Sequence, residues 1–381
     1  MAEASVRPRF LVISNGHGED AIAAQLAARL VGDVMVEAYP MIGSGNAYAG
    51  VCPVVGPRAS LASEGWRNVK GSLRRDLASG GLGTIPPALR FLRRVRGKYD
   101  KVIVVGDMVG VLACLATGHR NLFYIDVYKT GAARLYSGLE RWAIRKTCST
   151  VFCRSPNLSQ LLAADGVDAR SAGNIMMDTI PKGEYDAASR RRHTFAVTLL
   201  PGSRALTSES FNLQVQAIRG LPADLRPDVF LAVAGSVNVD DLARASGLTR
   251  ASMLSVESGD LGQLTDGDLT IHMARGSAMG NLLEASDVVM SQAGTATVQA
   301  LGLGRPVITF INPRDRRSRF EDEQQLFGDA RVVVEAQAEK VRDALQRLLT
   351  DSSERFGLAT LGRERIGGPG AMEAILAALM N

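Results

Sequence analysis

Short apolar runs alternate with glycine-bearing turns and with alanine- and leucine-rich amphipathic stretches along most of this chain. The alternation is typical of parallel sheets with helices on both faces, because a parallel strand reaches the next one through a long crossover, usually a helix. It predicts strands over residues 10–14, 34–39, 102–105, 121–125 and 150–153, with a first helix over 19–30. The predicted fold class is therefore α/β.

A second series of the same kind begins near residue 195. Its strands are predicted over residues 195–200, 229–234, 269–272, 288–291 and 306–311. Residues 181–194 (PKGEYDAASRRRHT) contain proline, glycine and a charge run but no apolar period, which predicts an interdomain linker. The length of 381 residues, at ~150 residues per domain, fits two doubly wound domains, 1–180 and 195–365. Such sheets bind ligands beyond the carboxyl ends of their strands, so a site in a cleft between the domains is expected.

Charge and composition exclude several classes of protein. Residues 1–180 carry 22 basic and 14 acidic side chains, a net charge of +8, while the remainder carries 22 and 25, a net charge of −3. No apolar run reaches the ~18 residues of a membrane span. The first ten residues lack the apolar region of a secretory signal, so a cytoplasmic protein is expected. The four cysteines form no CxxC pair, which predicts reduced thiols.

The turn after the first predicted strand reads NGHGED, residues 15–20. It lacks GxGxxG spacing, and its acidic residues would repel a pyrophosphate, so Gly16, Gly18 and Glu19 are predicted to bind a hydroxyl-bearing acceptor. The alternative is that the acidic residues only complement the helix dipole. His17 is a candidate general base or else a solvated loop histidine.

Two turns of the second series favour phosphate binding. LLPGSR (199–204) ends with Gly202, a hydroxyl from Ser203 and the planar donor fork of Arg204. SQAGTAT (291–297) leads from a strand into a helix, and such a nest of small residues binds a diphosphate through backbone N–H groups. Capping of the helix is the simpler interpretation of the second turn taken alone.

Asp107 follows the predicted strand 102–105 in the sequence VVGDMVG. A carboxylate at a strand end is placed to take a proton from an acceptor hydroxyl, which makes Asp107 a candidate base. The competing interpretation is an N-cap of the next helix.

Three segments together resemble lipid A disaccharide synthase and the group of proteins related to it. They are LLPGSR, GNLLEASDVVMSQAGTATVQALGLGRPVI (280–308) and the N-terminal GHGED. The chain is similar, more distantly, to the transferase that adds N-acetylglucosamine to the lipid-linked peptidoglycan precursor. The resemblance implies a GT-B fold: two facing Rossmann-like domains with an interdomain cleft, and a C-terminal helix, within 366–381, that crosses back to the first domain. It places the acceptor on the first domain and a nucleotide-sugar, expected to be UDP-linked, on the second.

The resemblance also implies roles for individual residues. Arg204 would hold donor phosphate, the segment around Met279 would lie near the base, and Glu19 corresponds to the acid of the family's opening motif. The diphosphate would be received by four consecutive residues: Gly294, Thr295, Ala296 and Thr297. Gln324 and Gln325 resemble a segment aimed at the donor sugar, with a solvated helix face as the alternative.

Two positions depart from the family pattern. Gln299 stands where relatives carry a glutamate that accepts hydrogen bonds from both ribose hydroxyls, and an amide accepts one and donates one. Asp107 lies one position away from the family's aspartate. The expected reaction is a single displacement in which Asp107 or His17 deprotonates the acceptor, and Arg204 and residues 294–297 stabilise the departing diphosphate. No DxD sequence is present and no metal or other cofactor is predicted.

Residues 67–98 carry nine basic side chains and one acidic side chain, Asp76. Ala88, Leu89, Leu92 and Val95 are predicted to form an apolar helix face beside the arginines, which favours contact with an anionic membrane surface. A solvated helix packed by its apolar face is the alternative. Aromatic residues make up 5% of the chain and Phe91 is the single one in this segment, which argues against a nucleic-acid partner.

Two further functions remain open from the sequence. A UDP-sugar 2-epimerase uses the same architecture but needs additional acid and base groups around the sugar. A non-catalytic nucleotide-sugar binder would explain Gln299 and the shifted Asp107.

Overall fold

The computed structural model describes residues 7–59, 81–202, 206–251, 259–312, 314 and 317–381. The chain divides into two compact units. The first unit comprises Met1–Thr179, Ser318–Gln325 and Pro369–Asn381, and the second comprises Ile180–Arg317 and Leu326–Gly368. Each unit is built around its own sheet.

The first unit contains a parallel sheet in the order β2-β1-β3-β4-β5-β6. Its strands are β1 (Arg9–Ser14), β2 (Met35–Pro40), β3 (Lys101–Gly106), β4 (Leu122–Asp126), β5 (Cys148–Phe152) and β6 (Asp168–Arg170). Its helices are α1 (His17–Leu30), α2 (Gly81–Val95), α3 (Met108–Ala116), α4 (Gly138–Thr147), α5 (Pro156–Ala163) and α6 (Ile175–Asp178).

The second unit contains a mixed sheet in the order β14-β13-β12-β7-β8-β11-β10-β9, in which only β10 runs against its neighbours. Its strands are β7 (Ala196–Leu200), β8 (Asp228–Val233), β9 (Thr249–Ala251), β10 (Asp260–Thr265), β11 (Thr270–Arg275), β12 (Val288–Ser291), β13 (Val307–Ile311) and β14 (Arg331–Glu335). Its helices are α7 (Thr207–Arg219), α8 (Val239–Ser246), α9 (Met279–Ala285), α10 (Thr295–Gly302), α12 (Ala338–Thr350) and α13 (Ser352–Ile366), while α11 (Arg317–Phe327) is divided between the units.

The central strands are buried on both faces, as the uninterrupted apolar runs predict. Leu11, Val12 and Ile13 of β1 are consecutive and have no exposed surface. The predicted α/β fold of two doubly wound halves is confirmed, and a strand lies at each predicted position. The sequence missed β6, β9, β10 and β14. Each is the outermost strand of its sheet or the neighbour of one, and exposure to solvent weakens the apolar signal there.

Residues 181–194, predicted as a linker, belong to the second unit. Tyr185 and Ala187 are buried there, and Arg191 pairs with Asp287 at 2.8 Å. Two isolated apolar residues give no sequence period, although both pack into the unit.

The last helix, α14 (Ala371–Met380), belongs to the first unit. Met372 and Ile375 are fully buried in its core. The carboxylate of Asp178 accepts hydrogen bonds from the backbone N–H groups of Gly370 at 2.7 Å and Met372 at 3.1 Å. The helix therefore begins on an anchored turn. Within the described ranges, no helix is long and apolar enough to cross a membrane.

Two glycines of α13 predict opposite effects of the same substitution. A Cβ at Gly362 would lie 2.8 Å from the backbone oxygen of Leu301 in α10, whereas a Cβ at Gly357 would meet nothing within 4 Å. We expect Gly362→Ala to lower the free energy of unfolding by about 1–3 kcal/mol through overpacking. Gly357→Ala should raise it by about 0.5–1 kcal/mol through helix propensity. Urea unfolding of both variants measures this, and equal effects would contradict the α10–α13 packing.

Candidate functional site

A glutamate side chain lies over the carboxyl ends of β1 and β3 in the first unit. A Cβ on Gly16, where φ is +152°, would be 2.7 Å from Oε2 of Glu19. A Cβ on Gly106, where φ is +133°, would be 3.0 Å from its Cγ. Both positions follow or end a strand, so the two glycines provide the space in which Glu19 sits.

Burial, assisted by the neighbouring carboxylates of Asp107 and Asp20, raises the pKa of Glu19 to about 7. Desolvation disfavours the charged form of a carboxyl group, and nearby negative charge acts in the same direction. At neutral pH, Glu19 is therefore able either to accept or to donate a proton. This behaviour was not predicted from the sequence, which assigned Glu19 to acceptor binding.

Asp107 caps α3 and also contacts the turn after β1. Its Oδ1 atom accepts hydrogen bonds from the backbone N–H of Val109 at 2.8 Å and from Nδ2 of Asn15 at 2.9 Å. Within the described part of the chain, no hydrogen bond reaches Oδ2. The capping alternative raised by the sequence is thus present, and one carboxylate oxygen stays available for a proton.

Asn15 is a site residue that the sequence analysis missed. Its Nδ2 atom is bonded to Asp107, but its Oδ1 atom is buried without a hydrogen-bond partner in the described structure. A buried acceptor without a donor is costly unless a ligand supplies one. The signal in the sequence was the position of Asn15 directly after the first predicted strand, because ligands bind beyond the carboxyl ends of parallel strands.

A network of buried hydrogen bonds holds this turn in place. Ser14 donates to Asp20 at 2.5 Å, and its hydroxyl lies 2.7 Å from that of Tyr48. All three side chains are buried. Asp20 therefore belongs to the scaffold.

The other two predicted residues of this turn are His17 and Gly18. His17 is the first residue of α1, and its side chain lies outside the described part of the structure. Gly18 is exposed, with open space where a side chain would be. The structure thus brings Glu19 and Asp107 together and leaves the roles of His17 and Gly18 as predictions.

Asp126 is a second missed carboxylate, at the end of β4. It accepts hydrogen bonds from the backbone N–H groups of Tyr128 and Lys129 at 2.9 and 3.0 Å, and from the hydroxyl of Tyr136. Burial raises its pKa to about 6 despite these bonds. Because all the strands of this sheet are parallel, their carboxyl ends lie along one edge of the sheet, which we call the carboxyl edge. Glu19, Asp107 and Asp126 all lie there.

Two turns meet at the corresponding edge in the second unit. The strands β7 and β12 are parallel neighbours with Ser291 opposite Leu200, and the N–H of Gln292 donates to the oxygen of Leu200 at 2.8 Å. A Cβ on Gly202, where φ is +98°, would be 3.5 Å from the oxygen of Gln292. Ser203 and Arg204 lie outside the described residues.

Side-chain hydroxyls fix the turn before α10. Ser291 and Thr297 lie 2.6 Å apart through their hydroxyl oxygens, Ser291 accepts from the N–H of Ala293, and Thr297 donates to the oxygen of Ala293. Thr297 is buried and shapes the turn with its side chain. Gly294 occupies the N-cap and no side chain caps the helix, so the N–H groups of Thr295 and Ala296 are oriented as in an anion-binding helix terminus.

The other residues predicted to bind the nucleotide-sugar lie on α9, α10 and α11. Gln299 is buried in α10 with 4% of its surface exposed, and Met279, half-buried, begins α9 after a tight turn at Gly276. Gln324 and Gln325 lie on α11 in the part that belongs to the first unit. Their assignment to the donor sugar stays a prediction.

The buried glutamate predicts a pH dependence of stability. Its pKa rises from 4.5 to about 7 on folding, so between these values the folded state holds a proton that the unfolded state has lost. Stability from this group is therefore lost as pH rises. We expect Glu19→Gln to be more stable than wild type by about 1–3 kcal/mol above pH 7, with the difference vanishing near pH 4. Denaturant unfolding across this range measures it. The exposed Glu339→Gln is the control, and a pH-independent difference for Glu19→Gln would contradict the burial.

Comparisons with known proteins agree on the fold. No protein-family model matches the sequence, and no curated protein matches it. Among solved structures, S. aureus MnaA in complex with UDP aligns with a TM-score of 0.59 at 13% identity, covering 98% of this chain and 96% of that one. The glycosyltransferase SnogD from Streptomyces nogalater aligns with a TM-score of 0.57 at 20% identity over 98% and 100%. Acinetobacter baumannii MurG gives 0.56 at 14% identity over 98% and 99%. The chain has the α/β fold of two Rossmann-like sheets that these GT-B proteins share.

Proposed function

We propose that this protein transfers a sugar from a nucleotide-sugar, expected to be UDP-linked, to a lipid or lipid-linked acceptor at a membrane surface. The donor diphosphate would bind the second unit at the turns after β7 and β12. The acceptor hydroxyl would approach Glu19 and Asp107 in the first unit. No metal or other cofactor takes part in the proposed reaction.

The open N-terminus of α10 supports the donor assignment. No side chain caps the N–H groups of Thr295 and Ala296 at the start of the helix, and a helix N-terminus favours negative charge through its dipole. The structural neighbour MnaA was solved with UDP. Arg204, directly after the Pro-Gly turn, would add a bidentate phosphate contact.

The proposed chemistry is one displacement at the anomeric carbon. Oδ2 of Asp107 accepts the proton of the acceptor hydroxyl, while the acceptor oxygen bonds to the anomeric carbon. The bond from that carbon to the diphosphate oxygen breaks, and the nucleoside diphosphate leaves with the electron pair. Donors at the N-terminus of α10 stabilise the charge that develops. Glu19, with its pKa of about 7, would relay the proton or replace Asp107 as base.

An exposed apolar patch carries the lipid part of the proposal. Leu135, Leu139 and Trp142 are 55%, 68% and 44% exposed, and we call them the α4 patch. The exposed Arg145 and Lys146 follow on the same helix. Because α4 starts after the loop that leaves β4, the patch lies near the edge that holds Glu19 and Asp107. Exposed apolar groups beside basic ones fit an anionic lipid surface.

The basic segment 67–98 fits that role less well. Residues 67–80 of this segment lie outside the described residues. Leu92 and Val95, predicted to face a membrane, are buried in the core of the first unit. The end of α2 also leads directly into the start of β3, so Arg93, Arg94 and Arg96 lie at the opposite edge of the sheet from Glu19. Leu92 and Val95 are used for packing, as the alternative interpretation of this helix expected, and contact between residues 67–98 and a membrane stays a prediction.

Sugar-nucleotide 2-epimerisation is the second candidate. The proximity of two carboxyl groups, Glu19 and Asp107, supports it, because epimerisation needs additional acid and base groups around the sugar. Crystal structures described as UDP-N-acetylglucosamine 2-epimerases also align with this fold, at 13% and 15% identity. Incubation with the donor alone separates the two reactions, since only an epimerase converts the donor without an acceptor.

Transfer is tested with a panel of nucleotide-sugars and a lipid extract, followed by mass spectrometry for a sugar added to a lipid. Thr295→Asp puts a carboxylate at the exposed first position of α10. It favours the helix but repels a diphosphate, so we expect about a tenfold or greater loss of UDP affinity, ~1.4 kcal/mol or more, and a matching loss of product. Thr295→Asn, similar in size and uncharged, should retain both. If Thr295→Asp bound UDP as wild type does, the donor site would lie elsewhere.

Membrane contact through the α4 patch is tested by vesicle flotation. We expect the wild type to float with phosphatidylglycerol vesicles at low salt. Replacing Leu139 and Trp142 by serine should remove most of the bound fraction, because the apolar contact is lost. Phe356, which is 74% exposed in the second unit, provides the matched control as Phe356→Ser. Equal flotation of all three proteins would remove the basis for a lipid surface at α4.

A further inference from the structure

Arg154 follows β5 at the carboxyl edge of the first sheet, and its charge has no ion-pair partner among the described residues. Its Nη2 atom is shielded from solvent and has no hydrogen-bond partner. The guanidinium makes no ion pair with any described residue. An enclosed cation without a partner is unfavourable, because it loses hydration without gaining a counter-charge.

Burial lowers the pKa of Arg154 to about 10, against the attraction of Asp126 and with the repulsion of Arg134. The group is still charged at neutral pH. Asp126 is the acid that attracts it, and the two oxygens of Asp126 accept hydrogen bonds from two backbone N–H groups and from the hydroxyl of Tyr136. Neither oxygen of Asp126 forms an ion pair or a hydrogen bond with Arg154.

The loop after β4 encloses this position. Gly131, where φ is +78°, packs so closely on the start of α5 that a Cβ would lie 2.2 Å from Oγ of Ser155. Nδ2 of Asn157 donates to the oxygen of Gly131 at 2.6 Å. The same loop presents Arg134, which stacks on the ring of Tyr128 at 4.4 Å and pairs with Asp322 at 3.0 Å. A second cation thus lies close to Arg154, but only Arg154 lacks a counter-ion.

We propose that Arg154 binds an anionic group of the acceptor, a phosphate or a carboxylate, in the first unit; this inference rests on the proposed transferase function. The guanidinium fork matches both groups through paired N–H donors. The residue as a whole keeps part of its surface exposed, although Nη2 itself is shielded from solvent. It shares the carboxyl edge of the sheet with Glu19 and Asp107, so one acceptor molecule spans the anion contact and the reacting hydroxyl.

Arg154→Met tests the proposal, because methionine keeps an unbranched side chain of similar volume but removes the charge. Thermal unfolding of the full chain is followed with and without inorganic phosphate at constant ionic strength. A parallel series uses succinate, and the larger effect tells phosphate from carboxylate. We expect either anion to raise the melting temperature of wild type more than that of Arg154→Met. Without anion, the variant should be at least as stable as wild type, since an unpaired charge has been removed.

Arg29→Met is the matched control. Arg29 is exposed in the last turn of α1, at the opposite edge of the sheet, so its substitution should leave the anion effect unchanged. Phosphate bound at α10 would raise the melting temperature of all three proteins equally. The measured quantity is therefore the difference between wild type and each variant in how far the anion raises the melting temperature. Equal anion effects in wild type and Arg154→Met would overturn the proposal, as would destabilisation of the anion-free variant, which indicates a structural role.

The two proposals fail in different ways. UDP binding should be the same in wild type and Arg154→Met, because the donor residues belong to the second unit. If wild type bound no UDP, the transferase proposal would fail while the anion effect at Arg154 was still measurable. If UDP bound normally and the anion effect was absent, only the role of Arg154 would be lost.

Discussion

Parallel pairing of buried strands is the constraint on which both candidate sites depend. Every strand of the first sheet runs in one direction, so the residue that follows each strand is delivered to the same edge. Glu19 lies in the first turn of α1, and Asp107, Asp126 and Arg154 lie at or just after the ends of β3, β4 and β5, so all four lie along that edge. In the second unit, the same geometry brings the turns after β7 and β12 together.

The two edges have different electrostatic character. In the first unit, burial keeps charged groups from full hydration: the pKa values of Glu19 and Asp126 are raised, and that of Arg154 is lowered. In the second unit, the turn before α10 is neutral and offers backbone N–H groups at a helix N-terminus. A titratable edge suits proton transfer, and a helix terminus suits an anionic leaving group.

The positions of the exposed apolar side chains change which part of the basic residues 1–180 is expected to contact a membrane. Positive charge in the segment 67–98 suggested a membrane-facing helix, but α2 uses its apolar residues to pack on the sheet. Exposed Leu139 and Trp142 belong instead to α4, which also carries the exposed Arg145 and Lys146. A helix needs one apolar face to fold against the core, so an amphipathic pattern by itself does not identify a membrane surface.

The sequence by itself determined the α/β class, the number of doubly wound halves and the identity of several strand-end turns. These features follow from local patterns: apolar runs, glycine at tight turns and polar residues immediately after strands. It also identified Glu19, Asp107 and Gly294 as residues of interest, because each lies in or next to such a turn.

Only the tertiary structure decided how those residues behave. The near-neutral pKa of Glu19 depends on burial and on Asp107, which is far away in the chain and comes close through the pairing of β1 with β3. Residues 181–194 joined the second unit because Tyr185 found a buried position there. The Nη2 atom of Arg154 is shielded from solvent, without a partner among the described residues, only once the chain has folded. Burial, pairing and pKa depend on contacts between distant segments, and those contacts form only when the chain has folded.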